Sequence, residues 1–346
     1  MDNFYQIFDF IYEQFCDSRK RIYWLYLISS IFIAFLWIKH IEKKTFICAF
    51  KEIFNLNLYL SKSAKADYFL AIINQIIFIL ISPYLISQLL VASILFQFFH
   101  NLQFGPQLLF GIFSNFTVCI LFTVIFFVVD DFARYFVHKI LHKVKILWIF
   151  HKVHHSAKVL TPVTVYRTHP VESLVFLLRG VTVQSIIITV FVYFFGDQVD
   201  LITIFSANIF AFIFNLAGSN LRHSHIKIKY WNWLEKLIIS PYQHQIHHSN
   251  AERHCNKNFG VVFAFWDRIF GTLELSKNNI FLEIEFGLSK NEKHKLSNSL
   301  FDLYFQPIYE LLKLNKKIIK SILFYISFKY KKYFNLCKTN LHLGKS

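Results

Sequence analysis

Charge is scarce in this chain and leans one way. Asp, Glu, Lys and Arg make up 17% of its 346 residues, against about 25% in ordinary soluble domains. Of these, 37 are basic and 21 acidic, a formal net charge of +16. That balance argues against a soluble globular domain. No nucleic-acid-binding motif accompanies the excess of cations, so the charge is better placed on loops facing anionic lipid headgroups. The five cysteines (Cys16, Cys48, Cys119, Cys255 and Cys337) are far apart with no CxxC pair. They supply neither a disulfide framework nor a thiolate metal site. There is no Gly/Ser-rich linker and no repeat of the 20–50-residue kind. No flavin, haem or iron–sulfur motif is present, so any electrons must come from outside the chain.

What the chain has instead is apolar surface. Hydrophobic residues are 55% and aromatic residues 19%, and the mean hydropathy is +0.41. A membrane helix needs about 20 mostly apolar residues. Candidate spans are 22–38, 68–99, 107–129, 171–195 and 201–217. Pro83 kinks the second or divides it into a hairpin. The first run follows an acidic, aromatic start and reads as a retained span, not a cleaved signal. Lys and Arg crowd the loops 39–67, 131–170 and 218–300 and are absent from 100–106 and 196–200. The positive-inside rule then puts those three loops in the cytoplasm, with five spans and the N-terminus outside. The expected fold is all-α: about four to six membrane spans with a cytoplasmic, histidine-rich cap. It divides into an N-terminal membrane region (1–100), a catalytic domain (101–280) and a basic tail (281–346). From Ser289 on, the tail has 12 Lys and three acids and reads as an amphipathic helix on the membrane surface. A sixth span near 318–328 would be too short.

Twelve of the 16 histidines fall between His138 and His254. Eight form three clusters: His138-x3-His142, His151-x2-His154-His155 and His244-x2-His247-His248. Spacings of three and four put imidazoles on one helix face, and imidazole is a ligand for iron, zinc and copper. Eight such side chains suffice for two ions. His169 and His223 are further candidate ligands. His225 and His254 rank below them, with headgroup contact or support of the ligands as the other reading. Asp130, Asp131, Glu172, Glu252 and Asp267 are candidates to orient the imidazoles through their second ring nitrogen.

A closed zinc site usually needs only four ligands, whereas two ions with open positions suit oxygen chemistry on iron. The Glu and Glu-x-x-His set of ferritin-like sites does not accompany these clusters. The reading is a histidine-rich di-iron site that uses O2 on a C–H bond of a lipid. Two other readings stand beside it. One is a zinc-dependent membrane hydrolase, which lacks the base Glu of an HExxH helix. The other is a non-catalytic metal or lipid sensor.

An ordered set of motifs carries a family resemblance. It runs from Asp131 through His138 and His142, then Trp148, His151, His154, His155 and Ser156. Arg167-Thr168-His169-Pro170 and Asn220-Leu221-Arg222-His223 follow. Ser240 to Ser249, Asn258-Phe259-Gly260 and Trp266 to Thr272 complete it. From about Asp130 to Leu273 the chain resembles the fatty acid hydroxylase/sterol desaturase superfamily, most closely its bacterial sterol-desaturase-type branch. The resemblance implies a membrane-bound di-iron oxygenase that hydroxylates or desaturates a sterol, fatty acyl or related lipid. It implies two iron ions, with zinc able to replace them in purified samples. It also implies an external donor: a reductase, ferredoxin or cytochrome b5-like protein. A bacterial inner membrane is the expected location. The cluster histidines carry over as ligands, His169 and His223 less directly. Residues 1–100 and those after about 280 resemble nothing further.

Overall fold

The computed structural model describes residues 12–102, 105–199, 209–279, 284–289, 292 and 296–316. Among these there is no strand, only two isolated bridges, Ile238 to Phe263 and Ser249 to Phe286. The rest is helix and ordered loop, in agreement with the all-α expectation. Among the described residues four stretches are long and apolar enough to cross a membrane: Trp24–Ile41, Lys62–Asn101, Asn115–Lys143 and Pro170–Gln198.

The principal helices are α1 (Trp24–Leu36), α2 (Phe46–Ile53), α3 (Lys62–Ile81), α4 (Gln88–Asn101), α5 (Asn115–Lys143), α6 (Lys145–His155), α7 (Pro170–Phe195), α8 (Ile209–Leu216) and α9 (Pro241–His247). A last helix, α10, covers 300–316. Their starts are written locally. Ser61, Ser87 and Ser114 cap α3, α4 and α5 by accepting the amides of Ala64, Leu90 and Thr117, which satisfies donors the helix cannot pair itself. Ser240 and Gln243 form a reciprocal capping box on α9, with Pro241 in the first turn.

The break at Pro83 does not turn the chain back. At the start of α3, Asp67 bonds Arg167, and Asn74 bonds the carbonyl of Thr168. Both partners lie just before α7. Beyond the break, Ser185 and Thr189 of α7 donate to the carbonyls of Gln88 and Ala92. Residues 62–101 therefore run alongside α7 in the same direction, as one kinked crossing and not a re-entrant hairpin. α5 then returns to the histidine end and α7 leads away from it. The first part of the expected span 201–217 lies outside the described residues, and its end, α8, leads back to the segment carrying His223. The apolar side chains of these helices face outward, with Leu89 77% and Phe116 75% exposed, as lipid contact requires.

α1 behaves differently from its composition. Just before it, Arg21 bonds Asn215 and its carbonyl accepts from Asn220. Near its far end, Ile38 packs with Leu221, Ile226 and Ile228. Both ends thus touch segments flanking His223, and Gln14 bonds Tyr166 in the same region. Residues 12–23 lie on the side of the histidine cap, not opposite it as the five-span reading expects. Apolar content records burial in lipid but not the direction of a helix, which is why the sequence misleads here.

The described part of the C-terminal segment is built into the cap. Leu296 and Leu303 pack with Ala66, Leu70, Val153 and Leu288. Lys152, buried within α6, pairs with Glu310 of α10. The suggested span at 318–328 lies outside the described residues. At the centre of the cap, Arg167 is fully buried. It bonds Asp67 (2.7 Å), the carbonyl of Val153 (3.0 Å), Ser156 (2.8 Å) and Asn298 (2.7 Å). Removing one partner of a buried ion pair strands the other charge. Arg167→Met is expected to cost about 3–5 kcal/mol, read as a lowered thermal midpoint in detergent; an unchanged midpoint would contradict this role.

Candidate metal centre

Four short segments bring nine histidines together. α5 carries His138 and His142, α6 carries His151, His154 and His155, and α9 carries His244 and His247, with His248 at its C-terminal end. His223 comes from the 3-10 turn Ser219–His223 that follows Gly218. Gly218 has a φ of +89°, and a side chain there would meet Leu221 at 2.9 Å. This is a turn that glycine makes readily.

The nine sort into two groups: His138, His142, His151, His155 and His247, and His154, His223, His244 and His248. In each, one nitrogen per ring lies within 4.8 Å of all the others. The repeated His-x2-His-His spacing therefore does not build one face for one ion. In α6, residues i and i+4 join the first group and i+3 joins the second. In the α9 cluster, i and i+4 join the second and i+3 the first. Each cluster straddles both groups. The groups are adjacent, with the rings of His155 and His248 stacked at 4.5 Å.

The spacing of nitrogens fits metal ions. Nε2 of His151 is 3.0 Å from that of His142 and 3.2 Å from that of His155. Nε2 of His223 is 3.0 Å from that of His244 and 3.4 Å from that of His154. An ion held at about 2.0–2.1 Å by imidazole places neighbouring ligand nitrogens about 3.0–3.4 Å apart, along the edges of an octahedron or tetrahedron. Further, Nε2 of His247 and both nitrogens of His248 are buried without a hydrogen-bond partner among the described residues. Such atoms are costly unless something occupies the space they face.

The opposite ring nitrogens are anchored. Nδ1 of His138 faces the carbonyl of Phe259 (2.9 Å), Nδ1 of His154 that of Arg167 (3.2 Å), and Nδ1 of His247 that of Lys257 (2.7 Å). Nδ1 of His151 bonds Glu172 at 2.8 Å. A carbonyl accepts only from N–H, which leaves the Nε2 lone pair directed into the group. Burial first, and neighbouring imidazoles or arginine second, push His154 down to about 3 and hold His151, His155, His223, His244, His247 and His248 well below 6.5. The rings stay neutral and able to donate a lone pair at ordinary pH.

Of the acids expected to orient these rings, Glu172 does so directly. Asp131 and Asp267 work one step away. Asp131 accepts the amides of Val262 and Phe263, and Asp267 those of Phe259 and Gly260, so together they hold the loop whose carbonyl anchors His138. A Cβ at Gly260 would lie 2.7 Å from the Phe263 carbonyl, so the loop closes only with glycine there. Asp130 pairs with Arg134 and Arg179 instead. Glu252 lines a cavity of about 440 Å³ that opens onto His142, His155 and His247.

His169 is a correction to the expected ligand set. It caps α7, its Nδ1 accepting the Val171 amide, and its Nε2 faces the carbonyl of Tyr304 at 3.1 Å. With both nitrogens engaged, it belongs to neither group. His225 also stands apart, bonded to the carbonyl of Glu52. The carbonyls of Phe259, Arg167 and Lys257 are functional groups that sequence reasoning could not find, because a backbone oxygen has no residue identity.

Comparison with known proteins agrees with this geometry. Residues 123–272 match the model of the fatty acid hydroxylase family, so this part of the chain is similar to that family. Alkylglycerol monooxygenase of Homo sapiens is 26% identical over 175 residues, 50% of this chain and 36% of that protein. A Delta(7)-sterol 5(6)-desaturase of Gibberella zeae is 30% identical over 150 residues, 43% of this chain and 41% of that protein. The ornithine lipid hydroxylase of Rhizobium tropici is 26% identical over 145 residues, 42% and 39% respectively. The matched stretch is thus about a third of the length of the curated relatives it aligns with. No solved structure matches the chain.

His151→Ala and His247→Ala are expected to lower metal content, whereas His169→Ala leaves it unchanged; elemental analysis of the purified variants decides. Glu172→Gln should weaken metal affinity roughly 10- to 100-fold, read by competition with a chelator. The metal-free protein is expected to lose stability as pH falls below about 6.5. The unfolded chain takes up protons there while the buried rings do not, so stability is intact above the ordinary value and declines toward the lowered ones. A flat midpoint between about pH 7.5 and about pH 5.5, one unit either side of that value, would contradict this.

Proposed function

We propose that the nine histidines hold two iron ions, and that the protein is a membrane-bound oxygenase that hydroxylates or desaturates a lipid. The observation that carries this reading is the pair of adjacent all-imidazole groups beside helices with apolar, outward-facing surfaces. Iron bound there supplies activation of O2 and the oxidising power to break an unactivated C–H bond. The chain's own residues do the rest. Glu172 and the three carbonyls fix which nitrogen each ring presents. The buried shell of α3, α6 and residues 296–316 keeps bulk water away. Trp148, whose Nε1 donates to Glu292 at 3.1 Å, stands at the mouth of the 440 Å³ cavity and narrows the approach to His142 and His155.

The relatives named above act on an alkylglycerol, a sterol and an ornithine lipid, which supports a lipid substrate here. Electrons come from a separate reductase, ferredoxin or cytochrome b5-like donor. The basic loops support a cytoplasmic position for the metals, in a bacterial inner membrane. A hydrolase is disfavoured because neither group contains a carboxylate among the described residues, and the nearest acid, Glu172, already holds His151. Zinc fits the same imidazoles, so the test uses anaerobic purification. About two irons per chain are expected, with a hydroxylated or desaturated lipid appearing when O2 and a reductant are supplied. His154→Ala should abolish the product. One zinc per chain with no lipid oxidation would overturn the reading.

A further inference from the structure

A second cavity, of about 180 Å³, lies beside the metal groups and outside both. It is bounded by α5, α8, the segment before α1 and the loop at Val262. Its walls combine Phe127 and Phe212 with Arg21, Arg134, Asp130 and Gln184. Asp131, which also lines it, is seven residues from His138 along α5, about 10 Å at 1.5 Å per residue. The volume is below the roughly 300–1,000 Å³ of pockets that enclose a whole small-molecule ligand. It has room for a headgroup but not for a lipid.

The charge around this cavity does not balance. Arg134 and Arg179 share one acid, Asp130. The other acid, Asp131, is engaged by the amides of Val262 and Phe263 and the indole of Trp266. Among the described residues Arg21 has no acid partner; it donates to Asn215 at 2.7 Å. Arg222, beside them, donates to the carbonyls of Ser219 and Val261. Arg19, also on the wall, is paired with Asp17, so five guanidiniums stand around three carboxylates. Nε of Arg21 and Nε of Arg179 are buried with no acceptor among the described residues. Burial first, and the nearby Arg134 second, lower Arg21 to about 10. Arginines with unused donors around a partly apolar cavity suit an oxyanion, which takes two parallel N–H bonds from each fork.

We propose that this cavity seats the phosphate or carboxylate of an anionic lipid, and that this lipid is the substrate. The second half of the proposal rests on the oxygenase reading above; the first does not. The apolar wall continues into α5 and α8, along which the lipid's chains would lie.

The test uses the full-length, metal-loaded protein in neutral detergent. Binding of dioleoyl phosphatidic acid is compared with that of dioleoylglycerol by native mass spectrometry, with inorganic phosphate as competitor. The expected result is a preference for phosphatidic acid of about tenfold or more, the scale of a hydrogen bond to a charged group. Arg21→Gln should remove it and Arg21→Lys should keep only part of it, since an ammonium supplies the charge without the fork. If Arg21→Gln loses metal, Gln184→Glu, which adds a carboxylate to the wall, replaces it and should also abolish the preference. Equal binding of the two lipids, or a preference unchanged in these variants, overturns the proposal. Displacement of the lipid by millimolar inorganic phosphate overturns the headgroup assignment in favour of a free anion. Metal is counted on the same samples. A lipid preference without iron leaves the seat standing while the oxygenase reading fails. Two irons without a preference leave the oxygenase reading standing while the seat fails.

Discussion

Nine imidazoles are gathered in one cap, eight of them buried and His142 half-buried, and this sets the terms for everything around them. Neutral imidazole is tolerable in a dry interior only if its N–H has an acceptor and its lone pair has something to meet. Four of the rings have their Nδ1 fixed by three backbone carbonyls and Glu172. The carbonyls come from loops, and those loops are in turn held by Asp131, Asp267 and Arg167. The charged groups of the cap therefore act mostly at one remove. They fix backbone, and the backbone fixes the rings.

That arrangement gives the acids beside the centre different tasks. Glu172 touches a ring. Asp131 and Asp267 gather amides, which is how a carboxylate can be buried without a cation at contact distance. Asp130 joins two arginines on the side facing away from the histidines. One side of Asp130-Asp131 thus serves the metal groups, while the other borders the smaller cavity and its surplus of guanidinium groups. The two cavities also differ in character. The larger opens onto His142 and His155 and has Glu252 and Glu292 in its lining, whereas the smaller is walled by aromatic side chains, arginines and the pair Asp130-Asp131.

Much of this was legible in the sequence, for identifiable reasons. Histidines at helical spacing show in any helix, so the three clusters stood out, as did the break at Pro83, whereas Glu172 was one of five candidate acids with nothing to set it apart. The partition into two groups did not. Which face of α6 meets which face of α9 depends on how the helices cross, and no local pattern records that. His169 was misread because a motif names a residue but not its partner; here Pro170 makes it a helix cap. The course of α1 was hidden for a similar reason, since hydropathy gives the length and apolarity of a helix but not the direction in which it runs.

The residues that lock the cap are distributed unevenly along the chain. Arg167, whose carbonyl holds His154, is itself held by Asn298, and Lys152 inside the His-x2-His-His turn is neutralised by Glu310. A ribosome makes all nine histidines well before it makes either of those partners. A nascent chain that has reached Ser249 has every imidazole in hand, but it still carries a naked ammonium in the turn that presents three of them. The contacts that fix the cap are thus complete only once translation has passed Glu310, and a product truncated before it has the imidazoles without the partners that hold Lys152 and Arg167 in place.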